Sequence, residues 1–120
     1  MKDLPIITEK NVSLYCNKPE VIQQLIEQMK KDFDWTDLSF ILSDQQELYQ
    51  NLVNLIKPFI SKLIDDNYQK LLELLYRIDI NEKVLAETIN TSDKDNLAEE
   101  ITKLIILREL QKVVRRNYYK

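Results

Sequence analysis

The chain has 120 residues, 44% of them hydrophobic and 31% charged, a net charge of −3, and no glycine or histidine at all. This composition excludes the disordered and membrane-embedded classes. The missing glycine argues against tight primed hairpins and Gly-rich phosphate loops, which need positive φ or close backbone approach, and the missing histidine removes the usual general base, the commonest zinc ligand and every Ser-His or Cys-His nucleophile.

A chain of this length fits one domain with a sizeable core. The pattern predicts an all-α fold, a single-domain bundle of five to six helices over residues 1–120 with an extended N-terminal arm. Residues 1–16 show no helical period, and Val12-Ser13-Leu14-Tyr15-Cys16 alternates like a short extended segment laid on the core. The first helix is expected after Asn17, with Pro19 in the first turn and Glu20 in capping-box relation to Asn17. Its stripe is Val21, Ile22, Leu25, Ile26 and Met29, and it is expected to end near Lys31.

Residues 32–42 hold Phe33, Trp35, Leu38, Phe40, Ile41 and Leu42, so this connection should fold back onto the core. Asp32, Asp34 and Asp37 do not make a calcium loop, because the glycine at its sixth position and the terminal Glu are both missing. Ser43-Asp44-Gln45-Gln46 is a capping box that opens the longest helical pattern. Leu48, Leu52, Leu55, Ile56, Phe59, Ile60 and Leu63 form one stripe running through Pro58, where a lost backbone bond predicts a kink. Ile64, Tyr68, Leu71, Leu72 and Leu75 continue it. Unbroken, residues 44–77 would span about 51 Å, too long for a domain with a radius of gyration near about 14 Å, so the pattern must bend or break at Pro58 or around residues 65–67.

Asn81 caps a short helix over residues 82–89, with Val84, Leu85, Ala86 and Ile89 on its apolar side. Asn90-Thr91-Ser92-Asp93 stops it and caps the last helix, expected over about residues 94–117. That helix has two faces that trade places. Leu97, Ala98, Ile101, Leu104 and Ile105 give way to Leu110, Val113 and Val114, while the first face becomes the basic ladder Arg108, Lys112, Arg115 and Arg116. Residues 1–100 carry 11 basic and 19 acidic side chains, residues 101–120 six and one. The ladder, followed by Tyr118 and Tyr119, is therefore the one candidate polyanion site. Its plain alternative is a set of cations complementing the helix dipole at a wet end. Two apolar faces also call for cover on both sides, from neighbours in the same chain or from a second copy in a homodimer.

Enzymatic constellations are weak. Asp65-Asp66, Asp93-Asp95 and Glu99-Glu100 lack a ligand-like spacing, and Asp66 with Lys70, Glu73 with Arg77 and Glu99 with Lys103 stand in ion-pair register. Cys16, the single cysteine, has no histidine partner and reads as buried and inert. Phe33, Trp35, Phe40, Phe59, Tyr68 and Tyr76 could line an apolar pocket, though aromatics at helical spacing usually build core. Leu74-Leu75-Tyr76-Arg77-Ile78-Asp79-Ile80 and Ile106-Leu107-Arg108-Glu109-Leu110-Gln111-Lys112 resemble the C-terminal half of small helical bacterial proteins with no assigned function. The resemblance implies an all-α fold and carries no activity.

Together these readings predict a cytoplasmic, non-enzymatic protein without catalytic residues, cofactor, metal or membrane span. It is expected to act through contacts with a protein partner or with itself. The alternative is a nucleic-acid-associated regulatory protein that uses Arg108, Lys112, Arg115 and Arg116.

Overall fold

A computed structural model describes residues 6–8, 10–33 and 48–118, apart from the side chains of Lys94 and Tyr118. Within them lie six helices and no strand: α1 (Val12–Cys16), α2 (Pro19–Phe33), α3 (Leu48–Asp66), α4 (Tyr68–Arg77), α5 (Glu82–Thr91) and α6 (Lys94–Tyr118). The radius of gyration is 14.2 Å, the value expected of a compact chain of this length. The connection over residues 34–42, including Asp34, Trp35, Asp37 and Phe40, and the capping box at residues 43–46 lie outside the described residues.

Where alternation predicts an extended arm as far as Cys16, the chain forms the short helix α1. Side chains close the turn that starts it. The Thr8 N–H donates to Asn11 Oδ1 at 2.8 Å, Lys10 N–H to Thr8 Oγ1 at 3.2 Å, and Asn11 Nδ2 to the Ile6 carbonyl at 2.9 Å. Val12 and Cys16, four residues apart, then bury one side of α1, which alternation over five residues cannot distinguish from a strand. Before α1 the arm does lie on the core: Ile7 is buried, and its carbonyl accepts from Gln111 Nε2 at 2.9 Å.

The helix α2 starts where Pro19 predicts and runs to Phe33, two residues past the expected end. Its first bonds go to the Lys18 carbonyl, so Lys18, not Asn17, is the residue at its N-terminus. Asn17 acts at longer range, its Oδ1 accepting the Tyr49 N–H of α3 at 3.1 Å. The pattern over residues 44–77 breaks at Asn67, while α3 passes through Pro58 as continuous helix. Asn67 closes one helix and opens the next: its N–H donates to the Leu63 carbonyl at 2.9 Å, and its Oδ1 accepts from Lys70 N–H at 3.2 Å. Asn81 and Asp93 cap α5 and α6 in the same way, accepting from Lys83 N–H at 2.9 Å, Val84 N–H at 3.2 Å and Asn96 N–H at 3.0 Å.

α6 is the axis of the bundle, packed against α3 and α2 most extensively and also against α5 and α1. Ile22, Leu25, Met29, Leu52, Ile56, Ile60, Leu71, Leu75, Ile101 and Ile105 are almost fully buried, each aliphatic contributing about 1.5–3 kcal/mol on transfer grounds. The apolar surface of α6 is thus covered for the most part from within the chain, with Leu97, Leu104, Leu107 and Val114 left half-buried. Phe59 and Leu104 are two of the stripe residues that depart from the core. Phe59 is 45% exposed, because α3 turns Leu48, Leu52, Val53, Ile56 and Ile60 inward, and Leu104 is half-buried.

Candidate functional site

α5 is the weakest-anchored helix. It buries none of its residues, and Val84, on its expected apolar side, is 42% exposed. Between α5, α6, α1 and the start of α3 lies an open groove of about 900 Å³. Leu104 and Leu107 of α6, Val84 of α5 and Tyr49 of α3 supply its apolar lining, and Thr88, Glu87 and Glu100 its polar one. Lys103 also lines it and pairs with Glu99 at 3.7 Å and Glu100 at 3.9 Å. Burial, then the charges of Cys16, Glu100 and Glu99, push the Tyr49 hydroxyl up to about 12. From Glu82 to Glu100 the sequence holds six acidic side chains and two lysines, so α5 and the first turns of α6 give this end of the bundle a negative field.

The basic ladder lies away from the groove. Arg108 Nε donates to the Ile78 carbonyl at 3.1 Å, with its Nη2 3.7 Å from Asp79. Lys112 Nζ lies 2.9 Å from Asp32 Oδ2, and Arg116 Nη1 donates to Gln28 Oε1 at 2.8 Å. Arg115 is exposed. Three of the four cations therefore tie α6 to α2 or to the end of α4. Of the three ion-pair registers read along the helices, Glu99 with Lys103 closes. Arg77 reaches instead for the Asp32 carbonyl, at 3.4 Å.

Under the ladder sits a residue that the sequence pattern did not single out. Glu109 is 0% exposed, and neither of its carboxyl oxygens meets a partner at hydrogen-bonding geometry. Lys112 Nζ stands 3.4 Å from its Oε2. Burial first, then hydrogen bonding with Asp32 and the charge of Asp32, raise the Glu109 carboxyl to about 8 against the opposing pull of Lys112. Once protonated, Glu109 has an O–H to offer the neighbouring Asp32 carboxylate. Burial also pushes Asp32 up, but hydrogen bonds from Glu109, Gln28 and Lys112 and the Lys112 charge outweigh it, leaving this carboxyl below its ordinary range. A trace of Glu109 exists in the sequence: Ala98, Thr102, Ile105, Glu109 and Val113 share one face of α6, and all five are buried.

Cys16 is fully buried, and burial pushes its thiol up to about 12. Phe33 and Phe59 line a second cleft with Leu63 and Leu74, whereas Tyr76 is exposed elsewhere. Among the described residues no group of three metal-ligating side chains converges, and no helix is long and apolar enough to cross a membrane. The chain matches no known family, no curated protein and no solved structure.

Proposed function

We propose that this chain is a cytoplasmic helical binding protein that works through contact with another protein, with the groove between α1, α3, α5 and α6 as its docking surface. The observation that carries this reading is the conjunction of an apolar lining from Leu104, Leu107 and Val84 with α5, a helix that buries nothing of its own. An open groove with an apolar lining, set between helices, suits the helix-in-groove mode of recognition. Its acidic surroundings favour an amphipathic helix flanked by lysine or arginine. Neighbouring helices cover most of the apolar surface of α6, and the half-buried Leu104 and Leu107 are the part this reading gives to a partner. Engagement of Arg108, Lys112 and Arg116 inside the fold weighs against the nucleic-acid alternative.

The test is a titration of the labelled protein with a leucine-striped, lysine-flanked helical peptide, followed by NMR. Saturable shifts confined to Tyr49, Val84, Thr88, Leu104 and Leu107, weaker with a glutamate-flanked peptide and in high salt, support the reading. Shifts scattered over the surface, or indifferent to peptide charge, count against it.

A further inference from the structure

Glu109 and Asp32 share one cation. Lys112 stands 2.9 Å from Asp32 and 3.4 Å from Glu109, and the side chains of Asp32, Lys112 and Glu109 are 18%, 25% and 0% exposed. With both carboxyls ionised the cluster would hold a net negative charge, centred on the group with no access to water. An unpaired buried charge is expensive enough that the group takes a proton instead.

We propose that Glu109, Asp32 and Lys112 form a proton-operated latch between the end of α2 and the C-terminal half of α6, closed while Glu109 is protonated and loosened when it ionises. In the closed state the Glu109 O–H is donated to the Asp32 carboxylate, and Lys112 balances the remaining charge. Around this pair run the ties that ionisation would strain. Gln28 Nε2 donates to Asp32 Oδ2 at 3.0 Å, Arg116 to Gln28 at 2.8 Å, and Asn117 Nδ2 to Gln24 Oε1 at 2.8 Å. The last two join α2 to the last turns of α6, and the first, within α2, holds Asp32 to the same Gln28 that Arg116 grips. Opening would therefore release Lys112 and Arg116 together.

Among the described residues, few groups face the latch. Asp32 from α2 and Lys112 from α6 itself act on Glu109. From α4, Arg77 touches the Asp32 backbone alone, Arg108 turns to Asp79, and Lys57 of α3 is held by Glu99 at 3.9 Å. Geometry thus sets the switch apart among the described residues, and composition isolates its titration. The chain has no histidine, so between pH 5 and 8 no other side chain has an ordinary pKa.

The sign is fixed by the native carboxyl lying above its unfolded value, at about 8 against 4.5. The native state then binds the extra proton, and stability falls as pH rises through that window. One proton corresponds to a tenfold rise in the unfolding constant per pH unit.

Urea unfolding at several pH values from 5 to 8 tests this on the wild type and on Glu109→Gln, which keeps the shape and cannot ionise. The expected result is a wild-type unfolding constant rising about tenfold per pH unit and a nearly level one in the variant. A level wild type, or equal slopes, overturns the proposal. Should the variant fail to fold, infrared spectra of the wild type decide: a carboxylic-acid carbonyl band at neutral pH that vanishes under alkaline conditions supports the latch, and its absence at neutral pH overturns it. Amide exchange separates a latch from a merely buried acid. After correction for base catalysis, exchange over residues 28–33 and 109–118 should accelerate on alkalinisation more than in α3, and uniform acceleration refutes local opening.

Discussion

Replacing Asp79 by glycine should make the protein more stable. Asp79 has φ 67°, in the left-handed region, and it stands just beyond α4. Its N–H donates to the Tyr76 carbonyl at 3.1 Å, and the Ile80 N–H reaches back to Leu75 at 3.1 Å. These are the paired bonds of a Schellman ending, whose left-handed position is ordinarily glycine. With no glycine in the chain, Asp is the tolerated substitute, at a steric penalty of about 1–2 kcal/mol for an L-residue. Glycine removes that penalty but adds about 0.5–1 kcal/mol of backbone freedom to the unfolded state. The 3.7 Å contact with Arg108 is also lost, but Asp79 is 89% exposed there, and such a pair contributes little. The net expectation is a gain of about 0.5–1 kcal/mol, or roughly 2–4 °C in Tm. Thermal and urea unfolding of Asp79→Gly, Asp79→Asn and Asp79→Ala measure it, with glycine the most stable, asparagine close to wild type and alanine the least. A glycine variant less stable than alanine would refute the assignment of a strained left-handed cap.

Other outcomes follow from burial and pairing. Ile56→Ala and Ile101→Ala, at fully buried sites, should each lower stability by about 2–5 kcal/mol, while Val84→Ala on α5 should change the stability measured in urea by less than about 0.5 kcal/mol. Cys16 should resist a thiol reagent in the native protein and react in urea, because burial pushes its thiol up to about 12; prompt native labelling would show that α1 does not cover it. Changing Arg115 alone to Gln should leave stability within about 0.5 kcal/mol. Changing Lys112 to Gln should cost several-fold more, since it leaves Asp32 and Glu109 without their common cation. Comparing the two unfolding midpoints checks this.

Helices α2 to α6 were legible from spacing, because their apolar residues repeat at three and four, whereas α1, read as an extended segment, was not. Asn67, Asn81 and Asp93 each accept the N–H groups that local chemistry assigns to them. Long-range choices were not legible. Asn17 looks like a cap and instead holds the Tyr49 N–H, 32 residues away. Phe59 keeps the period of α3 yet faces outward, since the stripe admits a rotation that only the neighbouring helices fix. For the candidate site, the ladder was visible as charge, but its partners Gln28, Asp32 and the Ile78 carbonyl are tertiary facts. Glu109 was hidden for the same reason: beside Arg108 it reads as half of a solvated pair, although its phase with Ile105 and Val113 places it inside. The groove depends on how little α5 packs, a property of helix placement that no single-helix pattern carries.

The most direct test of the binding reading is a photo-crosslinking residue at Thr88, in the groove, compared with one at Arg115, an exposed member of the basic ladder outside the groove lining, in the cell that makes this protein. The account predicts that Thr88 captures a protein at an amphipathic, basic segment, that Leu107→Glu abolishes this capture, and that Arg115 captures neither protein nor nucleic acid specifically. Nucleic acid captured from Arg115 with nothing at Thr88 would contradict the account.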